Sequence, residues 1–255
     1  MDAWRTAIVE ARDGSIRIRG YDVPSLMTAR TFTDTIFLLH QSRLPSPAER
    51  ALLDAILIGV ADHGSGAPSC AAARIAISGN RQSTSAAVAA GLLAVGDDHG
   101  GAGLGCMELI ADGMALARRE GLSAEQAAAQ MVATARAQKR RLPGFGHRVH
   151  GTDPRTGVLF QMAATHGIAG DGVRFVEAME QAIAAAVKPL PINVDGALAA
   201  VLHDLGFAPA FGRLVFLIGR VAGLTAEVAE ELEREKPMRI KVPVQYDGVP
   251  PRELE

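Results

Sequence analysis

Alternation with a period of two appears once in this chain, near its start. Ile16 and Ile18 alternate with Arg17 and Arg19 behind an Asp13-Gly14 turn, which predicts a small β-hairpin over residues 7–19. Beyond it the spacing is helical. Ser46-Pro47-Ala48-Glu49 forms a capping box with proline at the first helical position, and Leu52, Leu53, Ile56, Leu57 and Val60 follow on one face. A second box, Ser123-Ala124-Glu125-Gln126, opens an alanine-rich helix that finishes in Lys139-Arg140-Arg141, where cations suit the negative end of the helix dipole. Val173, Val176, Met179 and Ile183 mark a further amphipathic helix. Leu214, Leu217, Val221 and Leu224 stripe another over residues 211–235. The tail, 236–255, is proline-rich and irregular, with a short extended piece predicted around residues 240–244. The pattern predicts an all-α protein with a minor N-terminal β-hairpin, residues 1–255 forming one domain.

Composition narrows the functional classes more than the fold. The chain has 255 residues, 48% hydrophobic and 21% charged, with aromatics at only 4%, so Ala, Leu, Ile, Val and Met must build the core. A net charge of −2 gives no electrostatic reason for a nucleic-acid or anionic-membrane partner. Apolar tracts break before they could span a bilayer, and MDAWRTAIVE lacks the basic-then-apolar plan of a secretory leader, so a cytoplasmic setting is expected. Cys70 and Cys106 make no disulfide framework and show no metal-ligand spacing.

Titratable residues beside helix breakers carry the candidate chemistry. They are His63 in ADHGSGAPS, His99 in GDDHGGAG, His147 in GFGHRVHG and Asp195 in PINVDGAL. Glycine admits close approach of a ligand, and a helix start offers unpaired N–H groups to anions. Asp195 suits two roles, a functional carboxyl or the cap of the helix through Leu198, Val201 and Leu202. His40, His166 and His203 lie on predicted helix faces or ends and read as structural. Arg155 follows Asp153-Pro154 at a helix start, and Arg220 interrupts the apolar run VFLIGRVAGL. A guanidinium there needs an acidic partner, from the protein or from a ligand, and arginine suits bidentate carboxylate binding.

The segments PGFGHRV…DPR, ADH, DHGGA and NVDG, in this order, resemble the citrate synthase superfamily, and IRGYDVPSL with FTDTIFLLHQSRLPSPAE resembles its N-terminal part. RLPSPAER runs almost directly into ALLDAILIGVADHG, which shortens the small domain. That plan is similar to citryl-CoA lyase and to the citryl-CoA-cleaving module of ATP citrate lyase. His99, however, follows the synthase pattern rather than that of the ATP citrate lyase module.

The resemblance implies retro-Claisen cleavage of citryl-CoA to acetyl-CoA and oxaloacetate. The same residues would serve a citrate or 2-methylcitrate synthase in the condensation direction, or a lyase for an acyl-CoA such as citramalyl-CoA. A CoA-binding regulator without activity is the non-enzymatic alternative. Asp195 would exchange a proton with the acetyl methyl group, His99 would donate to the thioester oxygen, and His147 would handle the oxygen on the carbon made or broken. His63, Arg155 and Arg220 would bind carboxylates. Arg239, with Arg234 and Lys236 as rivals, would reach into the site of a partner subunit, which implies a homodimer. Pro143, Gly144, Phe145, Gly146 and Lys188 would contact CoA. No metal or other cofactor is implied beyond CoA itself as part of the substrate. At 150–152, His-Gly-Thr departs from the synthase pattern, so the resemblance assigns no residue there to the CoA phosphates.

Overall fold

Both predicted capping boxes form. Ser46 Oγ accepts from the Glu49 N–H at 3.2 Å while Glu49 returns a bond to the Ser46 N–H at 2.7 Å, and this starts α3 (Pro47–Ala61). Ser123 and Gln126 do the same for α7 (Ala124–Ala137). The computed structural model describes residues 3–146 and 153–253.

The hairpin forms as β1 (Val9–Arg12) against β2 (Ser15–Ile18), antiparallel, with Ala11 opposite Ile16. A third strand, β3 (Tyr21–Asp22), adds to β2. The sheet leads into α1 (Val23–Ala29) and α2 (Phe32–Gln41), ahead of α3. The remaining helices are α4 (Pro68–Gly79), α5 (Thr84–Leu93), α6 (Ala102–Glu120), α7, α8 (Pro154–Thr165), α9 (Asp171–Ala186), α10 (Val194–Asp204) and α11 (Phe211–Arg234). The basic triplet expected to finish α7 lies past its end: the helix stops at Ala137, and Lys139 takes a left-handed φ of 53°. The extended piece expected around 240–244 pairs with no strand among the described residues.

Helix α10 is the axis of the main core. Every residue from Gly196 to Leu202 is buried, and α6, α8, α9, α3 and α11 pack around it. A second, smaller cluster joins Cys70, Ala73 and Ile77 of α4 and Ala87 of α5 to Leu224 and Val228 of α11. With 24 residues, α11 is about 36 Å long, enough to serve both clusters. Its first half buries Phe211, Val215 and Phe216 in the main core, and its second half buries Leu224 and Val228 in the smaller one. Arg220 sits between these halves. No helix among the described residues is long and apolar enough to cross a membrane.

The cap of α3 has a measurable pH signature. Arg43 donates to Glu49 and holds its carboxyl at about 2, below the usual 4.5. The folded pKa lies below the unfolded one, so this contribution is complete above about pH 4.5 and fades as pH falls toward 2. Glu49→Gln keeps a capping side chain but loses the ion pair. Because Arg43 is half exposed, the expected cost at pH 7 is about 0.5 kcal/mol. Thermal melts of wild type and variant should converge as pH is lowered through that window; a constant offset would contradict the assignment.

Candidate active site

His99 lies just ahead of α6, in a turn where its N–H and C=O exchange hydrogen bonds with Gly96 at 3.0 and 2.9 Å. The backbone N–H of Ser69, in the first turn of α4, donates to His99 Nε2 at 3.3 Å. That fixes the tautomer: Nε2 is the acceptor, so the ring proton sits on Nδ1. The Ser69 hydroxyl lies 2.9 Å from the same nitrogen and accepts from Arg220 Nη1 at 3.0 Å. Burial, the Arg220 charge and His63 all push the His99 pKa down, so the ring is held neutral. A neutral imidazole with a fixed Nδ1–H is a hydrogen-bond donor, not a cation.

Arg220 is 2% exposed. Its Nε donates to the Val60 carbonyl at 3.0 Å, its Nη1 donates to Ser69, and its guanidinium stacks 4.7 Å above the Phe216 ring, whose edge meets His99. Among the described residues no carboxylate lies within ion-pair distance of it. Of the two acidic partners the sequence left open, a carboxylate from the described residues is therefore not the one found.

Asp195 occupies the second position of α10, but the cap is its neighbour. Asn193 Oδ1 accepts from the N–H groups of Asp195 and Gly196 at 3.0 and 3.2 Å. Capping is thereby removed as the reason for an aspartate at 195. Asp195 lies beside Cys106 of α6, and burial together with that carboxylate raises the Cys106 thiol to about 12.

The loop 143–146 runs against the approach to α10. Gly144 O accepts from Asn193 N at 3.0 Å, and Gly146 N donates to Pro191 O at 2.7 Å. Contact is backbone to backbone: a Cβ on Gly144 would stand 2.9 Å from the Gly196 Cα, and one on Gly196 would stand 2.4 Å from the Gly144 carbonyl. Gly144 also has φ of +85°, so glycine is required there on two grounds. A cleft of about 550 Å³ opens over this loop, lined by Asp97, Gly101, Pro143, Phe145, Asn193 and Arg213. A neighbouring cleft of about 610 Å³ shares Gly105, Arg141 and Pro143 with it.

Other expected residues are placed less directly. His147 lies outside the described residues. His63 is exposed just beyond the end of α3, near enough for its charge to act on His99. Arg155 begins α8 as expected, but its guanidinium is engaged by Asp153, with bonds of 3.0 and 2.8 Å, and by the Gly59 carbonyl at 2.9 Å. Arg239 meets carboxylates of its own chain. It bonds Glu231, which is fully buried and also held by Arg74, and pairs with Glu235 at 3.0 Å. Lys188 is exposed on the segment leading into α10.

Among the described residues, one group could supply metal donors: Asp62, Cys70 and Glu227, within 4.8 Å of one another. Glu227 is already paired with Arg74, and burial raises the Cys70 thiol away from the thiolate a metal requires. The group reads as part of an ion-pair network.

Sequence reasoning missed Ser69, Phe216 and Asn193. A serine after a helix-starting proline and an asparagine before Val-Asp-Gly both look like ordinary helix-start residues. Their partners lie 30 to 151 residues away.

Comparison with known proteins agrees with this architecture. The family description "Citrate synthase, C-terminal domain" matches residues 45–241. Citryl-CoA lyase from Hydrogenobacter thermophilus superposes with a TM-score of 0.91 at 37% identity, over 100% of this chain and 98% of that one. ATP citrate lyase from Methanothrix soehngenii shares the fold over 97% of this chain and 42% of its own, with a TM-score of 0.79 at 19% identity. A 2-methylcitrate synthase of Shewanella oneidensis is 29% identical over 224 residues, 86% of this chain and 56% of the relative. Citrate synthase 2 of Bacillus subtilis is 29% identical over 199 residues, 76% and 50% respectively. The chain spans about half the length of the curated relatives it matches.

Proposed function

The chain belongs to the citrate synthase family, and from that premise we propose that it is a citryl-CoA lyase, cleaving citryl-CoA to acetyl-CoA and oxaloacetate. One observation carries the reading: the chain superposes on a citryl-CoA lyase with a TM-score of 0.91 at 37% identity, against 27 to 29% identity to the curated synthases compared with it.

In the proposed reaction His147 takes the proton of the substrate's tertiary hydroxyl. The C–C bond breaks as that oxygen becomes the ketone of oxaloacetate, and the bonding pair passes into the thioester as an enolate. His99 Nδ1–H donates to the enolate oxygen. Its neutrality suits this, because the imidazole gives a hydrogen bond without surrendering the proton. Asp195, as the carboxylic acid, then protonates the enolate carbon to give acetyl-CoA. Arg220, with no protein carboxylate paired to it among the described residues, binds a carboxylate of the substrate, aided by His63 and Arg155. The loop 143–146 and Lys188 contact the CoA moiety along the cleft above the loop.

The assembly proposed is a homodimer. Helix α5, TSAAVAAGLL, is apolar round most of its circumference, yet only Ala87 and Gly91 are buried and Leu93 is 85% exposed. Such a helix calls for a second surface to cover it. A basic residue of the 234–239 segment, Arg239 first, completes the partner's site in this reading.

The test is to supply citryl-CoA to the purified protein and couple oxaloacetate to malate dehydrogenase. Steady NADH loss is expected. No NADH loss, together with rapid thiol release from acetyl-CoA plus oxaloacetate, would instead establish a synthase, the direction suggested by the names of the curated relatives.

A further inference from the structure

We propose that Asn193 is a positioning residue that locks the loop leading to His147 onto the helix that carries Asp195. The inference rests on the reading of these two side chains as the proton acceptor and donor of C–C cleavage.

Asn193 makes five hydrogen bonds, divided between the two elements. Toward α10, Oδ1 accepts from the Asp195 and Gly196 N–H groups, and the backbone carbonyl accepts from the Ala197 N–H at 3.0 Å. Toward the loop, its backbone N–H donates to Gly144 O at 3.0 Å, and Nδ2 donates to Gly146 O at 2.8 Å. Gly146 is the residue immediately before His147. The side chain thus reaches across 47 positions of sequence.

Only one side chain satisfies both demands. The helix start requires an acceptor and Gly146 O requires a donor, from one planar group close to the backbone. Aspartate offers no donor when ionised, and serine and threonine have a single oxygen too close to the backbone to bond both sides. The opposite amide orientation would aim an NH₂ at two N–H groups. If α10 needed only a cap, Ser or Asp would serve as well as Asn; the donor toward Gly146 is what a cap does not explain.

Two substitutions separate positioning from capping. Asn193→Ser keeps a cap and loses the Gly146 bond. Its thermal midpoint should stay close to wild type, while amide exchange of residues 144–146 accelerates and that of 194–198 does not. With citryl-CoA, kcat should fall on the order of tenfold, with KM changed less, as for a displaced catalytic group. Asn193→Asp also keeps the cap but sets a carboxylate against the Gly146 carbonyl. Protonation restores a donor, so the activity of this variant relative to wild type should rise as pH falls through the carboxyl range.

Unchanged exchange at 144–146 in both variants would overturn the proposal, as would a wild-type kcat in Asn193→Ser or a pH-independent ratio in Asn193→Asp. Should Asn193→Ser not fold, Asn193→Asp carries the test. If the wild-type protein cleaves no citryl-CoA, it is the functional reading that fails, and the exchange measurement still decides the coupling.

Discussion

Replacing His99 with alanine is expected to lower kcat for citryl-CoA cleavage by about 100- to 1,000-fold, the usual cost of removing one preorganised oxyanion donor. Ser69, Arg220 and Phe216 keep their mutual contacts without the ring, so circular dichroism and the melting profile should change little. The wild-type profile carries a second signature. Protonation of His99 would force Nε2 to face the Ser69 N–H with a hydrogen of its own, breaking the bond at 3.3 Å. Burial, Arg220 and His63 hold the His99 pKa below its ordinary 6.5, so the acid limb attributable to His99 should lie below pH 6.5. The sign for stability is the same. With a folded pKa below the unfolded one, the contribution is complete above about pH 6.5 and is lost as pH falls through the folded value. A kcat within threefold of wild type in His99→Ala would remove His99 from the chemistry.

Arg220→Met is expected to cost about 100-fold in kcat/KM, equivalent to ~2.7 kcal/mol, within the range for a charge-assisted carboxylate contact. Its effect on the unliganded protein should be much smaller. The wild-type guanidinium is buried without an ion pair among the described residues, and methionine would fill comparable volume without a desolvated charge. The loss of bonds to Val60 O and Ser69 Oγ works the other way. Calorimetry with and without oxaloacetate separates the two effects. Saturating ligand at 100 times its Kd should stabilise wild type by about 2.7 kcal/mol, and the same concentration should barely shift the variant. A ligand-induced shift of wild-type size in Arg220→Met would mean that the carboxylate is bound elsewhere.

Local chemistry was legible in the chain, and distant pairing was not. Ser46 and Ser123 announce their helices because a capping box is complete within four residues. The hairpin shows because its alternation and turn are contiguous, whereas β3 spans only Tyr21–Asp22 and has no room for a pattern. Helix α5 gives no periodic signal because apolar residues occupy nearly its whole circumference. His99 and Asp195 stood out through their glycine-rich settings. What they touch did not, because Ser69 and Asn193 act through contacts assembled by the fold. Arg155 and Arg239 show how far residue type alone reaches. Each is a plausible carboxylate clamp by residue type, and each also meets a carboxylate of its own chain, Asp153 and Glu231. Nothing in their spacing distinguishes a clamp from an ion pair.

The meeting of Gly144 and Gly196 has a consequence for evolutionary drift. Where side chains separate two elements, the gap can be retuned by exchanging one size for another, with rotamers absorbing the difference. Here two backbones bear directly on each other, and a single added methyl group at either position would collide. The interval between the loop and α10 is therefore a hard stop, set by van der Waals radii alone. Cys106 stands beside this contact, its Sγ 2.7 Å from where a Cβ on Gly144 would lie. Substitutions elsewhere in the alanine-rich core can accumulate and compensate one another, but at this junction no series of small steps leads to a new spacing.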